Sequence, residues 1–257
     1  EKGFGVRGAL GCSDRGNTAI SQLRHDNIDW EYVFGQLGSK WFHTGGIYAG
    51  LSENAPKVIV HAMKSAKKYG AVISYDLNYR ASLWESMGGY KAAQKINKEI
   101  VKYVDVLFGN EEDFTACLGF EVEGVSKNLE KLPTQGFKKM ISRVTKDYPN
   151  LKVIGTTLRK VIDANTNGWG AIAWSKKDGF SESFPFPELK IYDRVGGGDG
   201  FASGFIYGLL ENMDFHTALK FGIAHGALAM TTPGDTSMVS VDEVKKLVLN
   251  PSARVAR

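Results

Sequence analysis

Three consecutive glycines followed by a carboxylate, Gly196-Gly197-Gly198-Asp199, are the residues of this chain best suited to chemistry. Successive glycines let backbone N–H groups converge where Cβ atoms would otherwise intrude. Ala202 to Leu210 reads as a helix, and amides at a helix start bind anions. An acid inside that nest can take the proton of an attacking hydroxyl. Amides that meet developing negative charge, beside a base for the acceptor, describe phosphoryl transfer. A flexible turn with Asp199 merely near the helix dipole is the plainer reading. Two other phosphate-binding designs are disfavoured. No Gly-x-x-x-x-Gly-Lys-Ser/Thr run occurs, and the glycines come late in the chain with no ribose-binding acid at the expected distance.

Asp76-Leu77-Asn78-Tyr79-Arg80 follows a strand, and alternation aims Asp76, Asn78 and Arg80 the same way if the chain stays extended. An arginine there can grip a carboxylate or phosphate with two N–H groups. A surface ion pair with Asp76 is the alternative. Asn110-Glu111-Glu112-Asp113 follows another strand. Its acids could hold hydrated magnesium, or Asn110 could simply cap a helix. Spacing does not separate these two readings. Arg15 and the dispersed histidines His43, His61, His216 and His225 carry no metal-ligand spacing and read as ordinary surface or structural residues. Cys12 has no histidine partner that would make it a nucleophile. Thr231-Thr232-Pro233-Gly234-Asp235 is a turn that either closes over a ligand or reverses the chain.

Strands are expected at Trp41–Thr44, Ala71–Tyr75, Val104–Phe108 and Lys152–Gly155, and a hairpin from Trp169–Trp174 and Ser181–Phe184 around Lys177-Asp178-Gly179. Helices are expected at Asn17–Leu23, Asp29–Leu37, Ser52–Tyr69, Tyr90–Val101, Asn128–Lys131, Thr134–Tyr148 and Val241–Leu249. Strand, polar strand end and helix in repetition describe a parallel sheet covered on both faces. Ligands of such sheets bind beyond the C-terminal strand ends, where the polar runs above fall.

The 257 residues are 43% hydrophobic and 23% charged, a foldable globular composition. Lys and Arg total 32 against 28 Asp and Glu, giving +4. The basic residues are scattered, which argues against nucleic acid as a partner. Two cysteines do not make a disulfide scaffold and fit a reducing compartment. No apolar run reaches the ~18 residues of a membrane span. A cytoplasmic protein without membrane attachment is the expectation.

Taken together, Asp193-Arg194-Val195-Gly196-Gly197-Gly198-Asp199, Asp76-Leu77-Asn78-Tyr79-Arg80 with Leu83-Trp84, Gly109-Asn110-Glu111-Glu112-Asp113-Phe114 and Thr232-Pro233-Gly234-Asp235 resemble the ribokinase-like (PfkB) carbohydrate kinases. The subgroup that phosphorylates 2-keto-3-deoxygluconate is the most similar. Arg194 and Gly197 depart from the usual Thr and Ala of the family motif. The resemblance implies a three-layer α/β/α sandwich with a mostly parallel central sheet. It also implies one kinase core over residues 1–257, shortened at the N-terminus, with the small β lid largely absent and residues 1–16 its remnant. It implies ATP and Mg2+ as cofactors, a small acidic sugar as substrate, and leaves a homo-oligomer open. Asp199 would be the general base and Gly196–Gly198 the anion hole. Arg15 and Arg80 would contact the acid sugar, Ile47 would add an apolar or backbone contact, and Asp235 would lie near the substrate's other end. Asn110, Thr157 and Arg159 would serve the nucleotide, and Asp113, one methylene shorter than the family's Glu, would reach metal through water. Adenine would sit between residues 156–180 and the helix at 217–230. A kinase for a neutral sugar such as fructose or ribose, or a non-catalytic sugar-binding protein, are the alternatives.

Overall fold

The structure is a computed structural model that describes residues 3–8, 10, 15–124 and 134–251. The expected helix at Asn128–Lys131 and Cys12 lie outside the described residues. The chain forms two compact units, one of residues 13–123 and 137–154, the other of residues 1–12, 124–136 and 155–257.

In the first unit, strands β1 (Trp41–Gly45), β2 (Val72–Asp76) and β3 (Val106–Gly109) run parallel in that order. Their apolar content explains the arrangement. Ile73, Tyr75, Leu107 and Phe108 are all buried, as expected of strands covered on both faces. Helix α2 (Ala55–Lys68) supplies Val58, Ile59, Ala62, Met63 and Ala66 to this core. It ends where Ala71 N–H reaches back to the Ala66 carbonyl at 2.9 Å, a bond that closes a helix terminus. Short helices α1 (Gly46–Ala49) and α3 (Ala81–Glu85) follow β1 and β2. Helices α4 (Gly89–Val101), α5 (Glu111–Leu118) and most of α6 (Thr134–Asp147) complete this unit. Buried Asp105 accepts the Ile73 N–H and meets Lys67 at 3.0 Å and Lys152 at 3.1 Å, so its charge is compensated.

The register sets the strand ends level. Gly45 lies opposite Asp76, and Asp76 opposite Phe108. Gly46 is needed there because a Cβ would overlap the Leu77 carbonyl. Two expected helices are shorter than their sequence pattern. Asn17 is left-handed (φ 55°) and Leu23 is extended, which confines the first to one 3-10 turn at Ile20–Gln22. The second is a wide turn over Tyr32–Gln36, with Asp29 Oδ1 accepting the Tyr32 N–H as expected of a cap.

β4 (Val153–Val161) starts in the first unit and continues in the second, where β5 (Thr166–Ser175) and the antiparallel β6 (Gly179–Lys190) follow it in the strand order. All three outrun the expected strands. A tight turn explains the length of β4: Ile162 and Asp163 N–H both donate to the Thr166 carbonyl. Residues 3–8 form a small turn with a Phe4–Arg7 bridge, and Gly5 bonds Ala164 and Asn165.

Helices α7 (Gly197–Leu210) and α8 (Phe215–Ala229) pack at backbone distance. Gly200, Gly204 and Gly208 recur every fourth residue on α7, as Ala218, Gly222 and Gly226 do on α8. A Cβ at Gly204 would stand 2.6 Å from the Phe221 carbonyl, one at Gly208 2.6 Å from Ala218 Cα, and one at Gly226 2.7 Å from the Gly197 carbonyl. Buried Trp169 of β5 donates its indole N–H to the Ile223 carbonyl at 3.0 Å and fixes α8 on the sheet. Helix α9 (Val241–Leu249) adds Val244 against Phe221 and Ala224. Among the described residues no helix is long and apolar enough to cross a membrane.

Candidate active site

The glycine run opens α7. Gly196 is its N-cap with φ 82°, a left-handed conformation that glycine takes without strain. The N–H groups of the next residues, 197 to 199, fall in the first turn, where a helix has no acceptor of its own to offer. Gly197 is pressed on Met230, whose Sδ would lie 2.9 Å from an added Cβ. At Gly198 a Cβ would meet nothing within 4 Å, so the space over this residue is open. Asp199 is exposed on the first turn, beside that opening. The geometry is an open amide cradle with a carboxylate at its edge, the kind of helix start that attracts anions.

The segment after α8 lies against the cradle. Tyr192 N–H donates to the Met230 carbonyl at 2.8 Å, and Asp193 Oδ2 accepts the Gly234 N–H at 3.3 Å. Asp193 Oδ1 accepts the Val195 N–H at 3.1 Å, so the acid that opens the glycine motif shapes its loop. A Cβ on Gly196 would be 3.4 Å from the Asp235 carbonyl oxygen. Asp235 itself is exposed. The structure thus brings the Asp235 backbone against Gly196, the cap from which Gly197, Gly198 and Asp199 lead into α7.

One helical turn beyond Asp199, a cavity of about 180 Å³ opens beside Ser203, Tyr207, Phe221, His225, Val239 and Val244. His225 Nδ1 is 2.9 Å from Ser203 Oγ, and Nε2 is 2.9 Å from Ser237 Oγ. Burial pushes the imidazole below its ordinary pKa, partly opposed by a bond to the Gly200 backbone. This histidine has no motif around it. Its only sequence signal is its place among the small residues of α8, between Gly222 and Gly226. Thr157 and Arg159 lie within β4, not past a strand end, and both are half-buried.

In the first unit the other predicted residues gather at the level strand ends. Ile47 follows Gly46 after β1, Arg80 lies after β2, and Asn110 and Asp113 lie after β3. Asn78 takes φ 33°, which turns the chain sharply after β2. Arg80 is exposed, with one guanidinium N–H on the Tyr79 carbonyl at 2.8 Å. Asn110 and Asp113 form a reciprocal cap: Asn110 Oδ1 accepts the Asp113 N–H and Asp113 Oδ2 accepts the Asn110 N–H. Asp113 Oδ1 accepts the Tyr79 N–H at 2.8 Å, which joins the β2 and β3 ends. Asp113 is buried, and burial raises its pKa against the pull of these amides. Its carboxylate is therefore engaged on both oxygens, and of the two readings of this motif the geometry displays the cap. Arg15 is exposed on the irregular segment before Thr18, outside these strand ends. Among the described residues, no group of three or more His, Cys, Asp or Glu stands where it could hold a metal ion.

Comparison with known proteins identifies the family. Residues 39–145 and 164–242 match the pfkB family carbohydrate kinase. The whole chain is 27% identical to the 2-dehydro-3-deoxygalactonokinase of Haloferax volcanii and spans 71% of that protein. It is also 27% identical, over 91% of its length, to the 5-dehydro-2-deoxygluconokinase of Clostridium perfringens, of which it spans 61%. The crystal structure of 2-dehydro-3-deoxygluconokinase from Thermotoga maritima matches 97% of this chain, with a TM-score of 0.85 and 36% identity, and the match spans 71% of that protein. An α/β fold with ribokinase-like neighbours, a cradle at the start of α7 and a family match over most of the sequence agree: this chain belongs to the pfkB family of carbohydrate kinases.

Proposed function

We propose that this chain contributes the catalytic end of a kinase that transfers the γ-phosphoryl group of ATP to the terminal hydroxyl of 2-keto-3-deoxygluconate or a close acid sugar. The observation that carries this reading is the exposed Asp199 beside an open amide cradle at the start of a 14-residue helix. Asp199 accepts the proton of the sugar hydroxyl as the oxygen attacks. The amides of residues 197–199, with Gly196 as the cap that aims them, meet the charge that grows on the transferring oxygens. Asp235 orients the sugar beside the cradle.

Roles in the first unit follow from charge. Arg80, and Arg15 with it, bind the carboxylate of the acid sugar, and Ile47 lends an apolar contact. Thr157, Arg159 and Asn110 serve the nucleotide. The apolar cavity beside His225 is a fitting place for the nucleobase; it lies on the expected helix at 217–230, but no residue of 156–180 lines it. ATP supplies the phosphoryl group, and magnesium bound with it neutralises phosphate charge. The described residues form no cage for magnesium, and the Asp113 oxygens are engaged, so any contact from Asp113 would run through water, and no step is assigned to the metal.

ADP release across a panel of acidic and neutral sugars tests the substrate class. Arg80→Ala should raise KM for the acid sugar about tenfold or more, the loss of one charge-assisted contact of roughly 1.5–3 kcal/mol. Its effect on a neutral sugar should be small. Equal losses on both, or preference of the unaltered chain for fructose or ribose, would contradict an acid-sugar site.

A further inference from the structure

Between α8 and α9, the segment from Met230 to Ser237 carries Asp235 and is mostly exposed. Its first half is tied to the loop before α7 through Met230, and Gly234 is tied to Asp193. Its far end is held by His225. The other contacts of the two serines favour one sense for the hydrogen-bond chain through that ring. Ser203 Oγ donates to the Gly200 carbonyl at 3.1 Å, which leaves its oxygen to accept from His225 Nδ1–H. Ser237 Oγ accepts the Val239 N–H at 3.4 Å and so can turn its own proton to His225 Nε2. The neutral Nδ1–H tautomer gives both serine contacts a donor and an acceptor, with the Gly200 carbonyl shared between Ser203 and the ring, and partial burial favours the neutral ring. Ser203 is on α7, His225 on α8 and Ser237 beyond Asp235, so one side chain links all three.

We propose that His225 is a positioning residue: through Ser203 and Ser237 it pins the Met230–Ser237 segment, and with it Asp235, to the helix that carries Asp199. The structural half of this inference stands on the hydrogen bonds alone. Its consequence for substrate binding rests on the function proposed above. Ser237 does not line the cavity, so Ser237→Ala releases the clasp without altering the cavity wall.

Hydrogen–deuterium exchange of the full chain without nucleotide is the test, with His225→Phe and Ser237→Ala. Both variants should accelerate exchange of the Gly234 and Val239 amides by about tenfold or more, while the amides of β2 keep wild-type protection. In wild type, the 15N shifts of the imidazole should show a protonated Nδ1 and an accepting Nε2, and Ser237→Ala should move the Nε2 resonance. If His225→Phe does not fold, Ser237→Ala and the tautomer measurement carry the test. Unchanged exchange in a folded Ser237→Ala, or a protonated Nε2 in wild type, would overturn the clasp. In turnover, Ser237→Ala should raise KM for the sugar severalfold and leave KM for ATP in place. Accelerated exchange in a chain that phosphorylates no sugar would support the clasp and overturn the functional reading alone.

Discussion

His225 and Asp113 show how differently a polar side chain can stand near a reactive centre. Asp113 reads in the sequence as a metal ligand or a helix cap. In the structure its two oxygens accept amides from Asn110 and Tyr79, a use that fixes two strand ends. His225 reads as an ordinary histidine, yet it joins two serines beside the cavity. The sequence hides this because Ser203 and Ser237 are 22 and 12 residues away and meet it only through the packing of α7 on α8. The lowered pKa of His225 has a consequence for stability. The ring takes up a proton less readily in the folded chain than in the unfolded one, whose ordinary value is 6.5. Its neutral-state contribution is complete above that value and declines as pH falls from 6.5 toward the folded pKa. Urea unfolding of wild type and His225→Phe should show the difference between them shrinking below pH 6.5. A difference that grows on acidification would contradict the neutral ring.

The α7–α8 pair is the element on which the cradle depends. Its every-fourth-residue glycines and alanines are plain in the sequence, but their partner is not, since a small residue in a helix reads only as a weak helix former. Gly204→Ala separates the two views. Alanine is favoured in an isolated helix by about 1 kcal/mol. Here its Cβ would lie 2.6 Å from the Phe221 carbonyl and 2.9 Å from His225 Cβ, so the helices must part. We expect Gly204→Ala to destabilise the chain by about 1–3 kcal/mol in urea unfolding, the usual range for overpacking. Gly198→Ala, which points into open space, should leave stability unchanged or slightly raised. Greater stability of Gly204→Ala would show that the helices are not in backbone contact. Strand lengths were less legible. β4 carries Arg159 and Lys160, which look like a strand end, but the strand runs on through them, with Leu158 buried, Arg159 half-buried and Lys160 exposed.

Across the molecule, the alternation of strands and helices, the buried parallel strands and the polar residues at their ends were readable because each follows from periodicity and local turn chemistry. The reading of Asp199 as a base rests on the glycines before it and remains a proposal; the structure shows an exposed carboxylate next to open space over Gly198. What could not be read from the sequence are contacts made by folding itself: the hydrogen bonds of His225 to Ser203 and Ser237, the Met230 contact under Gly197 and the cavity beside His225. The family match covers both units, and the chain is shorter than its relatives. Catalysis by the chain as it stands is therefore the central claim, and it is directly measurable. ADP release should be followed with 2-keto-3-deoxygluconate and MgATP for the wild-type chain and for Asp199→Asn, with nucleotide binding measured in parallel. We predict turnover by wild type, a loss of about 100-fold or more in kcat for Asp199→Asn, the scale of a lost general base, and unchanged ATP binding in both. Near-wild-type turnover by Asp199→Asn, or ATP binding without turnover by the wild-type chain, would contradict the account.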